Sequence, residues 1–180
     1  MAVAQPLPGY AERIKQIAQP TMLRLQRQFN ETINLGIRDG SEIMYIDMVG
    51  SSRLLHAEAK IGKRDPLHCT ALGKAILLTL GPSEVDRSVP RRMVARTPHT
   101  ITNRDQFLDE IARSAERKYA LDMEENELGA RCVAAAICEP GSGSAIAAIS
   151  ISGPSQLMPV ETLARMGRVL ARTAGSITIA

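Results

Sequence analysis

At 180 residues the chain is long enough for one domain with a sizeable core and too short to assume two. With no Trp, two Phe and three Tyr it lacks the stacked aromatics of a nucleic-acid platform, and its formal charge of +3 is mild. Three cysteines, Cys69, Cys132 and Cys138, are an odd number without disulfide-scaffold density. Neither a secretory leader nor a membrane-length apolar run is visible, so a reduced, cytoplasmic location is expected.

The first periodic segment runs from Tyr10 to about Asn30, with Ile14, Ile17, Met22, Leu23 and Leu25 as a helical stripe. Residues 1–8 precede it as an expected disordered lead-in. Pro20 lies mid-segment and predicts a kink or restart. Thr32–Asp39 and Glu42–Val49 alternate like strands around the turn pair Asp39-Gly40, which predicts a hairpin. A third strand is expected over Arg53–Ala59.

Thr70–Leu80 reads as a helix stopped by Gly81-Pro82. Ser83 is placed to cap a short helix over Glu84–Val89, and Thr102 a longer one carrying Phe107, Leu108, Ile111 and Ala115. Tyr119–Met123 suits a short strand. Arg131–Glu139 and Ala145–Gly153 then pair across Pro140–Gly143, and Val160, Leu163, Leu170 and Ala174 mark a closing helix. Consecutive hairpins with helices between them predict an α+β domain built on a mainly antiparallel sheet. The cluster Arg87, Arg91, Arg92 and Arg96 reads either as a phosphate patch or as a solvated loop.

Three segments carry candidate chemistry. In Cys69-Thr-Ala-Leu-Gly73, Thr70 is a plausible N-cap, which leaves the Ala71 and Leu72 amides free to hold a carboxylate, or merely to begin an ordinary helix. Lys74, one turn in, is expected to snorkel to solvent. Ser150 and Ser152 share one strand face, as do Cys132, Ala134 and Ala136 on the neighbouring strand. Alanine is a poor strand former, so these positions signal either a cavity or a closely packed helix. Asp122, ahead of Glu124 and Glu125, is either an inward carboxylate or part of a solvated loop.

A metal or nucleophile reading is weak on spacing. His68 and Cys69 are adjacent, Cys132 and Cys138 are not at chelating distance, and His56, His68 and His99 carry no activating motif. The expectations are therefore no metal, no cofactor and no catalytic residues. The rival enzyme reading is a hydrolase using Cys132 with Asp122. A third reading is a structural module whose alanine-faced sheet is filled by its own side chains.

Several blocks resemble the effector-binding domain of IclR-type bacterial transcription regulators. They are Ala18-Gln-Pro20 with Leu23, Glu31-Thr-Ile-Asn-Leu35, and Pro66-Leu-His-Cys-Thr-Ala-Leu-Gly-Lys-Ala75. Ala120-Leu-Asp-Met-Glu-Glu125, Leu128-Gly-Ala-Arg-Cys-Val-Ala-Ala-Ala-Ile137 and Ala148-Ile-Ser-Ile-Ser-Gly-Pro154 complete the set. The resemblance covers residues 9–180 and implies a GAF-like domain, a curved sheet of about six strands covered by helices. It also implies a small 2-oxo or hydroxy acid effector, held by the Ala71 and Leu72 amides and by the side chains of Asp122, Cys132, Ser150 and Ser152. Leu54, Ala57 and Asp65 stand where such a family has its pocket wall.

The resemblance further implies a homodimer or tetramer and DNA contact only through a winged helix-turn-helix, which this sequence lacks. The sequence opens at what would be the connecting helix, so the chain is expected to be the sensing part of a longer regulator, with no membrane partner. Lys118 stands where a Gly commonly precedes the aromatic Tyr119. A left-handed backbone there costs Lys about 1 kcal/mol relative to Gly.

Overall fold

A computed structural model describes residues 9–55 and 60–177. Helix α1 (Tyr10–Phe29) leads into the hairpin β1 (Thr32–Asp39) and β2 (Glu42–Val49), followed by a short edge strand β3 (Arg64–Pro66). Helices α2 (Ala71–Leu77), α3 (Pro82–Ser88) and α4 (Arg104–Arg117) come next. Strands β4 (Ala120–Met123), β5 (Ala130–Cys138) and β6 (Ala145–Pro154) then complete the sheet, and helix α5 (Val160–Ala174) closes the chain. The six strands are ordered β3-β2-β1-β6-β5-β4, and every neighbouring pair is antiparallel. This is the mainly antiparallel α+β architecture that the pattern predicted and the GAF-like fold that the resemblance implied.

Side-chain alternation divides the core into two. Ile33, Leu35 and Ile37 of β1, Val133 and Ile137 of β5, and Ile149 and Ile151 of β6 face the layer formed by α1 and α5. The opposite face is made small: Ala120, Ala134 and Ala148 pack with Ala71, Leu72 and Ala75 of α2. Gly36 continues that small surface, since a Cβ there would lie 2.8 Å from the Ile43 side chain and 3.3 Å from that of Leu72. The alanines thus serve close helix–sheet packing along most of this face. At one end the row turns polar, and a cavity opens.

Several local expectations change. Helix α1 runs through Pro20 as one element. Pro20 is exposed and so is Gln16, four residues before it, so the carbonyl that loses its intrahelical donor can turn to water. The described part of the Arg53–Ala59 segment is not a strand. Residues 53–55 are bends, and 56–59 lie outside the described residues. The segment is tied to the end of α1 instead: Ser51 Oγ donates to the Asn30 carbonyl at 2.7 Å, and Ser52 Oγ to Asn30 Oδ1 at 2.9 Å. The edge position falls to Arg64–Pro66, paired with Glu42–Met44.

Helix caps also shift by a residue or two. Asn103, not Thr102, accepts from the Gln106 amide at 3.0 Å, and α3 starts at Pro82, where Glu84 reaches back to the Gly81 amide at 3.3 Å. Of the arginine cluster, Arg87, Arg91 and Arg92 are exposed, and Arg96 also reaches inward to the Asn126 carbonyl at 3.3 Å. No helix among the described residues is long and apolar enough to cross a membrane.

Lys118 ends α4 with φ 64° and ψ 21°, the left-handed conformation that the sequence comparison with glycine anticipated. Relief of that strain predicts that Lys118→Gly stabilises the fold by about 1 kcal/mol, raising the melting temperature by roughly 2–4 °C. Thermal denaturation followed by circular dichroism reads this directly. A melting temperature unchanged or lowered in Lys118→Gly contradicts it.

Candidate effector-binding site

The register of the sheet builds the site. Thr32 of β1, Ser152 of β6, Cys132 of β5 and Asp122 of β4 are direct cross-strand partners in one row. The next row on the same face is Asn34, Ser150, Ala134 and Ala120. Hydroxyl, thiol and carboxyl groups therefore converge from three strands over a few ångströms, because direct partners in a sheet hold their Cβ atoms about 4.5–5.5 Å apart. Above them lies the start of α2.

That helix is capped as its sequence suggested. Thr70 Oγ1 accepts from the Gly73 amide at 3.1 Å and donates to the Pro66 carbonyl at 3.0 Å. The amides of Ala71 and Leu72 are the two first-turn donors left without an intrahelical acceptor. Gly73 allows the close turn: a Cβ there would fall 2.4 Å from both the Cα and the carbonyl oxygen of Leu67. Any larger residue would push α2 away from the backbone it rests on.

Between α2 and the polar row is a cavity of about 50 Å³, lined among others by Ala71, Leu72, Asp122, Cys132, Ser150 and Ser152. One water-sized group takes up about 10–15 Å³ on this measure, so the space suits roughly three to five such groups. All six residues assigned to the ligand from sequence line this one cavity. The expected pocket-wall residues fare differently. Leu54 is fully exposed, because the segment after Ser51 follows the end of α1 and not the sheet. Ala57 lies outside the described residues. Asp65 is buried behind the wall, where Asn126 Nδ2 donates to it at 3.2 Å and Lys63 Nζ stands 2.9 Å away.

Asp122 is held by the loop that follows its own strand. Its Oδ1 accepts the amides of Glu125 at 2.7 Å and Asn126 at 3.3 Å, which leaves Oδ2 for the cavity. Burial pushes its carboxyl up to about 7, the charge of Glu125 adds to the rise, and Lys74 and the two amides oppose it. Below about pH 7 this carboxyl mostly holds its proton and then does not repel an anion beside it. Cys132 is likewise pushed well above the ordinary thiol range, by burial first and by Asp122 second, so its sulfur is a neutral thiol.

Lys74 corrects a further expectation. It does not reach solvent: its side chain is fully buried and forms an ion pair with Glu125 Oε1 at 2.6 Å. His68 is also buried, with Nε2 3.1 Å from the Val94 carbonyl, and burial lowers its pKa. No group of three His, Cys, Asp or Glu side chains among the described residues is arranged to hold a metal ion.

Sequence reasoning missed Asn34, Tyr45 and Asn126, which also line the cavity. The signal for Asn34 was present, since it is a polar residue in a strand otherwise reading as core. Tyr45 packs with Ile43 in the cluster beneath α2, and nothing in its local sequence marks it as a cavity residue. Asn126 carries no local pattern, and it enters only because the loop folds back over Asp122.

Comparison with known proteins places the chain in a family. Residues 11–179 match the family described as "Bacterial transcriptional regulator IclR C-terminal", and the chain belongs to that family. The HTH-type transcriptional regulator XynR of Escherichia coli K12 is 37% identical over 140 residues, 77% of this chain and 55% of that protein. The HTH-type transcriptional repressor AllR of the same strain is 33% identical over 165 residues, 91% of this chain and 60% of its own length. The chain thus spans 55–60% of the length of these two relatives. Among solved structures, Thermotoga maritima IclR superposes with a TM-score of 0.85 at 31% identity, over 91% of this chain and 66% of that one. The C-terminal domain of E. coli KdgR gives 0.77 at 31% identity, over 91% of this chain and 97% of that one.

The raised pKa of Asp122 has a consequence for stability. The folded state holds this proton more tightly than the unfolded chain, whose Asp titrates near 3.9. The contribution is therefore full below about pH 4 and is lost as pH rises towards 7. Between pH 5 and 8 the wild type should lose on the order of 2 kcal/mol relative to Asp122→Asn, which cannot titrate. Urea denaturation of both proteins across that range tests it, and parallel pH profiles contradict it.

Proposed function

We propose that this chain is the sensing part of a transcription regulator, which holds a small 2-oxo or hydroxy acid in the cavity between α2 and the polar row of the sheet. The observation that carries the reading is the convergence on that cavity of two unpaired helix amides with Asp122, Cys132, Ser150 and Ser152. The carboxylate lies against Ala71 and Leu72, where the amides stabilise negative charge, and Lys63, paired with Asp65, borders the same cavity. The ligand's other oxygens meet Asp122, Cys132 and the two serines. A protonated Asp122 donates to one of them.

The effector acts by binding two arrangements of the assembled regulator unequally, because equal binding shifts nothing. The relatives' names as HTH-type regulators, and the share of their length that this chain spans, support a DNA-binding domain attached ahead of α1 in the whole protein. Apolar side chains on the outside, Leu23 of α1 and Val160 of α5 among them, support self-association as a dimer or tetramer. The hydrolase alternative is disfavoured by the neutral Cys132 thiol and by the distance in the fold of its potential base: His68 is turned to Val94 and does not line the cavity.

A ligand of about six heavy atoms is limited to roughly 1.5 kcal/mol per atom, so binding no tighter than sub-micromolar is expected. Ser152→Ala leaves a ligand oxygen unpaired and should weaken binding about five- to a hundredfold, a cost of roughly 1–3 kcal/mol. Calorimetric titration of short hydroxy and oxo acids into both proteins measures this. Equal affinities for the wild type and Ser152→Ala would place the ligand elsewhere.

A further inference from the structure

Asn34 stands between Ile33 and Leu35 on β1 and is 3% exposed. Its neighbours on either side face the α1 and α5 layer, whereas Asn34 turns to the cavity, which it lines. The amide nitrogen donates to Ser150 Oγ at 3.3 Å and to Ser152 Oγ at 3.0 Å, which uses both of its hydrogens. The carbonyl Oδ1 is buried and has no donor among the described residues.

A buried acceptor left unpaired is costly, and in native proteins such groups nearly always have a partner. The chemistry of the wall narrows what that partner is. Serine hydroxyls and the Cys132 thiol can each donate or accept by rotating, so they fit a ketone as well as a hydroxyl. Asn34 Oδ1 can only accept. A ligand group meeting it must carry a hydrogen.

We infer that Asn34 reads the atom next to the ligand's carboxylate, and that the preferred effector class is a short 2-hydroxy acid, not the corresponding 2-oxo acid. The hydroxyl donates to Oδ1 and accepts from a serine whose own oxygen is held by the Asn34 amide. The ketone of a 2-oxo acid would put two acceptors face to face. A site with a fixed polar partner discriminates strongly against an analogue lacking the matching group, because that partner is then left unpaired. The inference rests on the effector site proposed above and adds to it a specificity-determining residue and a choice between two ligand classes.

The test compares D- and L-lactate, pyruvate and propionate, of nearly equal size, by calorimetric titration at pH 7. In the wild-type chain at least one lactate enantiomer should bind roughly five- to a hundredfold tighter than pyruvate. In Asn34→Leu, which keeps the bulk and removes the acceptor, the two should fall within a few-fold of each other. Thermal melts establish that the variant is folded, and Asn34→Ala serves if it is not. Pyruvate binding as tightly as both lactates in the wild type overturns the inference, as does a preference that survives in the variants. Ser152→Ala separates the two proposals. Lactate and pyruvate binding equally, and both weakened by Ser152→Ala, would sink only the role of Asn34. Binding of neither acid, or binding indifferent to Ser152, would remove the site reading and this one together.

Discussion

The buried ion pair between Lys74 and Glu125 is the interaction on which the site depends. Lys74 projects from α2 and Glu125 from the loop after β4, and they meet at 2.6 Å with both side chains out of solvent. Isolated charges at this depth would be expensive, and removing one partner of a buried pair typically costs about 3–5 kcal/mol. The pair therefore locks the loop to the helix. That loop supplies the Glu125 and Asn126 amides that orient Asp122, and the helix supplies the Ala71 and Leu72 amides opposite. The pair ties the two walls of the cavity together, while Thr97 and Thr100 hold the same loop through the Glu124 and Glu125 carbonyls at 2.6 Å.

The other constraint is distance. A helix sits this low on a sheet only where the facing side chains are small, and β1, β4, β5 and β6 present Gly36, Ala120, Ala134 and Ala148 there. The opposite face of β1, β5 and β6 is mainly Ile and Val, with Ala135 and Ala147 among them. Where the small row gives way to Asp122, Cys132 and Ser152, the same closeness turns a packing surface into a small polar chamber. Its burial raises the pKa of Asp122 to about 7 and that of Cys132 further, so the neutral forms of both are favoured. Lys63, paired with Asp65, also borders the chamber.

Much of this was legible in order of residues. Alternation located β1, β2, β5 and β6, and two-residue spacing within each strand put Ser150 and Ser152 on one face of β6 and Cys132 with Ala134 on one face of β5. Thr70 declared itself as a cap. The failures have physical causes. Residues 53–55 looked extended, but Ser51, Ser52 and Arg53 bind the exposed end of α1, a contact between distant segments that local pattern does not encode. Leu54 was thereby lost from the pocket wall. Lys74 was read as solvent-seeking because its partner lies 51 residues away. Asn34 falls within the alternating strand Thr32–Asp39, where its place between Ile33 and Leu35, both fully buried, was the available clue.

The central claim is that a small carboxylic acid is held by the first-turn amides of α2 against the polar row of the sheet. Amide chemical-shift mapping of the isotopically labelled chain during titration with lactate measures that contact atom by atom. The account predicts that the largest shifts fall on Ala71 and Leu72, with smaller ones at Asp122, Cys132 and Ser152. Saturable shifts confined to another surface, with Ala71 and Leu72 unmoved, would contradict it.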